Sequence, residues 1–180
     1  MNIFFCDVRG TFDGNVENRS KAVDRFVNNL RNICQILNIE EMTFDFVTSE
    51  DMPTLLTFIK ELEPLIKNTP IRFANQFSDR EKYYQGKIEE SEHKNKLAQI
   101  YYSLKGKDIK RVFFADDTLV QQKIVKRVLR TSNPQLDFVS IMPNTYQKTE
   151  DGYISEKYGI DGLNEAVETY INNLENTHTL

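Results

Sequence analysis

The chain has 180 residues, 39% apolar and 28% charged, with seven glycines and five prolines. That composition excludes fibrous and disordered classes and suits one globular domain of about 100 to 200 residues. Its 23 basic and 27 acidic residues leave a formal charge of −4, so the overall field opposes nucleic acid and membrane surfaces unless charge is segregated.

In chain order, Ile3 to Cys6 is a short apolar run rich in large side chains and reads as a strand. It lacks the length and basic flank of a signal peptide. No stretch approaches the roughly 18 apolar residues of a membrane span, so the chain is expected in the cytoplasm with Cys6 and Cys34 reduced. Apolar residues at 23, 26, 27, 30, 33, 34 and 37 predict an amphipathic helix over 20–37, with Ser20 as its cap. A strand follows at Thr43 to Val47, then a helix at Pro53 to Ile66 that Pro64 is expected to end or bend. Ile71 to Ala74 is the third strand. The segment Phe77 to Glu92, with Tyr83, Tyr84, Gly86 and Ile88 among charged residues, reads as a small hairpin or irregular flap. Helices at Lys94 to Leu104 and Leu119 to Arg130 alternate with strands at Val112 to Ala115 and Leu136 to Met142. A last helix follows Asp161 and Gly162. Near-continuous apolar strands alternating with helices predict a doubly wound, three-layer, Rossmann-like α/β sandwich. Its sheet is expected to be mainly parallel and five-stranded, within a single domain spanning 1–180 and without a large cap insertion.

In open α/β sheets, ligands bind beyond the carboxyl ends of the strands. Those ends are polar and acidic here: Asp7-Val8-Arg9-Gly10-Thr11-Phe12 after the first strand, Thr48-Ser49 after the second, Asp116-Asp117-Thr118 after the fourth. Asp7, Asp116 and Asp117 suit Mg²⁺, which takes hard oxygen ligands in octahedral geometry. Asp7 beside such an ion can also serve as a nucleophile toward a phosphate monoester. Gly10-Thr11 would let the backbone turn and present N–H donors to phosphate oxygens. Thr48 offers a hydroxyl, and a lysine would neutralise developing charge.

The segment Phe4 to Phe12 resembles the first motif of the haloacid dehalogenase (HAD) superfamily, an apolar strand ending in Asp-x-Asp-Gly-Thr. Phe44 to Thr48 looks like the second motif and Val112 to Asp117 like the fourth. For the lysine of the third, Lys94 is chosen because Leu97, Ala98 and Tyr101 follow with apolar spacing, and Lys96 is the alternative. The resemblance spans essentially the whole chain. It implies a capless, Mg²⁺-dependent phosphohydrolase: Asp7 forms an aspartyl-phosphate, Thr48 and Lys94 contact the phosphoryl group, Asp116 and Asp117 hold the metal, and the Arg9 carbonyl is a further ligand. A capless member has an open site, suited to a macromolecular or extended substrate or to closure by a partner. The partner implied is therefore a phosphorylated substrate.

One residue departs from the motif. Arg9 stands where the family's phosphatases carry the aspartate that protonates the leaving group and then activates water. A guanidinium cannot take that proton, and the step it replaces is worth about 10² to 10⁴ in rate. Arg9 would instead clamp a phosphate, or pair with Asp13 or Asp116, and Asp13 is a candidate substitute base. Plainer roles exist for the same residues: Thr48, Ser49 and Asp117-Thr118 as helix caps, Lys94 and Lys96 as solvated charges, His93 at the surface. The basic residues Lys105, Lys107, Lys110, Arg111, Lys123, Lys126, Arg127 and Arg130 are expected to form a solvated face or to touch an anionic partner. Three functions compete: the phosphohydrolase, a HAD-like phosphate- or partner-binding regulatory module without turnover, and a receiver-like phosphoacceptor. The last fits less well, because strand three ends in Ala74-Asn75.

Overall fold

The computed structural model describes residues 1–48, 50–74, 92–149 and 151–178, with backbone alone for 92–95 and 178. Six strands are seen: β1 (Asn2–Cys6), β2 (Met42–Phe46), β3 (Ile71–Phe73), β4 (Arg111–Ala115), β5 (Asp137–Met142) and β6 (Tyr153–Ile154). Five helices are described: α1 (Arg19–Ile36), α2 (Met52–Ile66), α3 (Glu92–Leu104), α4 (Leu119–Ser132) and α5 (Gly159–His178). The sheet order is β3-β2-β1-β4-β5-β6 and every pairing is parallel. The chain thus forms a Rossmann-like α/β fold, with one more strand than the sequence predicts. The extra strand is only two residues long, too short for a period-2 pattern.

Side chains alternate across the sheet. Phe4, Cys6, Phe44, Phe113 and Ile141 face a core closed by α1, α2 and α5. Ile3, Phe5, Val112, Phe114 and Phe138 face a smaller core closed by α3 and α4. Phe4 stacks between Phe44 and Phe113, with ring centroids 5.7 Å from each. This stacking ties β1 to its two neighbours, since offset aromatic pairs add about 0.5–1.5 kcal/mol beyond burial.

Three helix boundaries differ from expectation. α1 begins after Asn18, which sits in the left-handed region (φ 58°), and Ser20 lies inside the helix. α2 is capped by Asp51, whose side chain accepts the Thr54 N–H at 2.9 Å, and not by Thr48. It runs through Pro64 to Ile66, so only its final turn loses a backbone donor. Ser49 lies outside the described residues, as does the flap read at Phe77 to Glu92 except for Glu92, which begins α3. No described helix is long and apolar enough to cross a membrane.

Candidate metal and phosphate site

The chain reverses its winding direction between β1 and β4, which lie side by side in the sheet while β2 and β5 extend it in opposite directions. Such a switch point opens a crevice at the carboxyl ends of the strands. Cys6 pairs with Ala115, so the next residues on the two strands, Asp7 and Asp116, emerge together. The Asp7 N–H donates to the Ala115 carbonyl at 2.8 Å and the Asp116 N–H to the Ile141 carbonyl at 3.1 Å, which extends the ladder to the acids themselves.

Beyond Asp7 the chain coils tightly. The Val8 carbonyl accepts the N–H groups of Thr11, Phe12 and Asp13 at 3.1, 2.9 and 3.0 Å. The Gly10 N–H donates to Asp13 Oδ1 at 2.8 Å. Both amide hydrogens of the Gly10-Thr11 pair are therefore used within the loop, and the expected phosphate cradle of backbone donors is not there. Gly10 has φ 76°, and a Cβ on it would collide with the Asp117 carboxylate, so glycine lets the loop lie against the end of β4. Phe12 drops into the core edge-on to Phe26 and Phe46, and the Arg19 guanidinium covers its ring.

Lys96 of α3 completes the cluster. It is buried, with its Nζ 3.2 Å from Asp7 Oδ1 and 2.9 Å from Asp116 Oδ2. Asp116 Oδ1 also accepts the Thr118 N–H at 2.8 Å, and Thr118 itself precedes α4 without a side-chain cap bond. One ligand atom from each of Asp7, Asp116 and Asp117 lies within 4.8 Å of the others. Burial first, then the Asp116 carboxylate, push Asp7 well above the usual carboxylate range, against the pull of Lys96 and with a further push from Asp117. Asp117 is raised by burial and by Asp116. Among the described residues the cluster sets three carboxylates against one ammonium, an excess of negative charge that favours a bound cation. An all-oxygen donor set suits a hard cation such as Mg²⁺.

The loop after β2 is held from α3 as well. Gln99 accepts the Thr48 N–H through Oε1 at 3.2 Å and donates from Nε2 to the Thr48 carbonyl at 2.9 Å. The Thr48 hydroxyl oxygen accepts the Glu50 N–H at 3.0 Å. One turn further along the helix, Ser103 donates to Asp45 Oδ2 at 2.7 Å. The buried side of α3 thus carries a polar stripe of Lys96, Gln99 and Ser103 beside the core residue Ile100. Thr11 is fully buried, and its hydroxyl has no hydrogen-bond partner among the described residues. An orphaned buried hydroxyl beside the cluster is a group that a bound water or anion would satisfy.

The sequence brings Asp7, Asp116, Asp117, Gly10, Thr11 and Thr48 to the strand ends as read. It does not give Arg9 the expected carboxylate partner. The Arg9 side chain is 80% exposed and pairs with Glu50 at 3.0 Å, not with Asp13 or Asp116. Asp13 instead accepts from Gly10 and, through Oδ2, from the Tyr158 hydroxyl at 3.1 Å. Lys94 lies on α3, with its side chain outside the described residues, as does that of His93. Gln99 was missed: its i, i+3 and i+7 relation to Lys96 and Ser103 was the available signal. The fold and the cluster define a Rossmann-like α/β protein with a carboxylate centre at the switch point, able to hold a metal ion. No protein-family profile, curated protein or solved structure matches the chain.

Proposed function

We propose that the chain is a capless, HAD-like, Mg²⁺-dependent phosphohydrolase that acts on a phosphate monoester through an aspartyl-phosphate on Asp7. The observation that carries this reading is the convergence of Asp7, Asp116 and Lys96, from three separate elements, at one point of the sheet edge. A magnesium ion held by Asp7, Asp116 and Asp117 would offset the repulsion between a carboxylate and an incoming phosphate dianion. Asp7 attacks phosphorus, forming an O–P bond as the ester oxygen departs with its electron pair. The Lys96 ammonium stays beside the nucleophile and balances charge gathering on the phosphoryl oxygens. The Gln99 clasp fixes the Thr48 backbone at the same edge. Water then attacks phosphorus, returning Asp7 and releasing inorganic phosphate.

Both steps are slow in this reading, the departing oxygen taking its proton from solvent and the water lacking a base, because the side chain two residues after Asp7 is a guanidinium tied to Glu50. The same observation favours a second reading, a HAD-like phosphate- or partner-binding module without turnover. The receiver-like alternative is disfavoured by the sheet, in which β1 lies beside β4 and not beside β3. Phosphate release from an aryl phosphate with Mg²⁺ present, abolished by Asp7→Asn, is the expected result for the hydrolase. Inactivity across a panel of monoesters, with Mg²⁺ still bound, would discard it and leave the binding module.

A further inference from the structure

In an in-line displacement at phosphorus the leaving oxygen stands opposite the nucleophile. Asp7 is buried, so the alcohol portion of an ester attacked by it projects outward, toward the rim of the crevice. Beside Asp117 that rim carries a tyrosine. Tyr158 immediately precedes α5 and is 50% exposed. Three hydrogen bonds clasp its segment to the loop after β1. The Gly159 N–H donates to the Gly10 carbonyl at 3.2 Å, the Ile160 N–H to the Asp13 carbonyl at 2.9 Å, and the Tyr158 hydroxyl to Asp13 Oδ2 at 3.1 Å. Gly159 permits this approach, since a Cβ there would strike the Asp13 carbonyl oxygen, and Gly10 in turn abuts the Asp117 carboxylate. Burial first, then Asp13, raise the Tyr158 hydroxyl, with a smaller push from Asp117. The phenol therefore stays protonated and keeps donating, within the field of the carboxylate cluster.

We propose that Tyr158 is a specificity-determining residue, its ring stacking on a planar aromatic group carried by the alcohol portion of the phosphate monoester. This inference rests on the reading of the carboxylate cluster as a phosphate-ester site. The ring is fixed at both ends, through the main chain and through its hydroxyl, so it loses little further freedom when a ligand stacks on it. An aliphatic alcohol has no π face to offer and gains less from the same surface. A nucleobase and a simple aryl ring share the required chemistry. Tyr101 provides the contrast: it is more exposed, at 67%, but it lines a groove with Lys105 to Ile109, which lead into β4 at the amino edge of the sheet.

The test is calorimetric titration of the full chain, with Mg²⁺ present, by phosphonates that cannot be turned over. Benzylphosphonate is compared with propylphosphonate, and the phosphonate analogue of adenosine 5′-monophosphate with that of ribose 5-phosphate. The aromatic member of at least one pair is expected to bind about three- to tenfold more tightly, the usual worth of one aromatic contact. The pair with the larger ratio assigns the ring to an aryl group or to a nucleobase. Tyr158→Leu should bring that ratio close to one while leaving the aliphatic ligand bound as before. Tyr158→Phe should retain most of the ratio, and Tyr101→Leu all of it; circular dichroism checks that each variant keeps its fold. A ratio that survives Tyr158→Leu, or that Tyr158→Phe loses as fully, would overturn the assignment. Equal binding within both pairs by the unmodified chain would also overturn it, while leaving the phosphate site standing. Binding of none of the four would remove the phosphate-ester reading and this inference with it.

Discussion

Replacing Lys96 by methionine removes the one ammonium seen between Asp7 and Asp116 while keeping the length of the side chain. At 2.9 and 3.2 Å, with an effective dielectric of about 20, each attraction is roughly 5 kcal/mol before desolvation is counted. Desolvation of the ammonium offsets much of this, and the remaining cost comes from carboxylates left uncompensated in a buried place. Breaking such a pair costs about 3–5 kcal/mol. For a chain of 180 residues, at about 2–4 °C per kcal/mol, Lys96→Met should lower Tm by about 6–20 °C in metal-free buffer near neutral pH. The uncompensated charge grows by one unit, so added Mg²⁺ should raise Tm further in Lys96→Met than in the unmodified protein. Calorimetry or urea titration with and without Mg²⁺ reads both effects. A Lys96→Met protein melting within about 2 °C of the original, with the same response to Mg²⁺, would refute the claim that this ammonium neutralises the cluster.

Three further outcomes follow from the geometry. Arg9→Asp should raise phosphate release from an aryl phosphate by about 10²- to 10⁴-fold, the usual worth of a positioned acid/base; Arg9→Ala, which breaks only an exposed pair with Glu50, should change stability by less than about 1 kcal/mol. Because Asp7 and Asp117 are raised in the fold, these two groups hold more protons in the folded chain than in the unfolded one above the ordinary carboxylate pKa of about 3.9. Their contribution to metal-free stability should therefore fall as pH rises from about 4 toward the raised values, opposite in sign to that of the lowered Asp51, Glu165 and Glu168. Asp116→Asn should flatten that slope, and an unchanged slope would show that Asp116 is not the charge responsible. Gly159 (φ 64°) and Gly106 (φ 72°) share a left-handed backbone, but a Cβ on Gly159 would strike the Asp13 carbonyl oxygen whereas one on Gly106 meets nothing within 4 Å. Gly159→Ala should thus cost clearly more than the roughly 1–2 kcal/mol of backbone strain expected for Gly106→Ala, as measured by chemical denaturation.

The sheet and the two acid-bearing strand ends were legible because each strand is an apolar run that stops at a carboxylate, a contrast that hydropathy displays directly. Lys96 was harder. Leu97, Ala98 and Tyr101 suggest the apolar face of α3 and point to Lys94, yet Tyr101 is largely exposed, and the buried side sets the polar stripe Lys96, Gln99 and Ser103 beside Ile100. A periodicity search scores apolar side chains, so a helix seated partly through polar contacts shows it only part of its buried face. The Arg9–Glu50 pair depends on how the loops after β1 and β2 approach each other, which no local pattern encodes. The amides of Gly10 and Thr11 were read as phosphate donors because the turn chemistry was right; what sequence did not reveal was that Asp13 and Val8 take both hydrogens within the same turn.

Asp7 and Asp116 stand more than a hundred residues apart in the chain but at adjoining strand ends. The nucleation of any single βαβ unit therefore leaves the centre unmade; it comes into being only when the two halves of the sheet zip along β1 and β4. Loop-closure entropy makes that long-range pairing one of the later events of folding. A cation that binds the assembled centre consequently acts as a latch on the finished molecule, slowing its opening without speeding its formation.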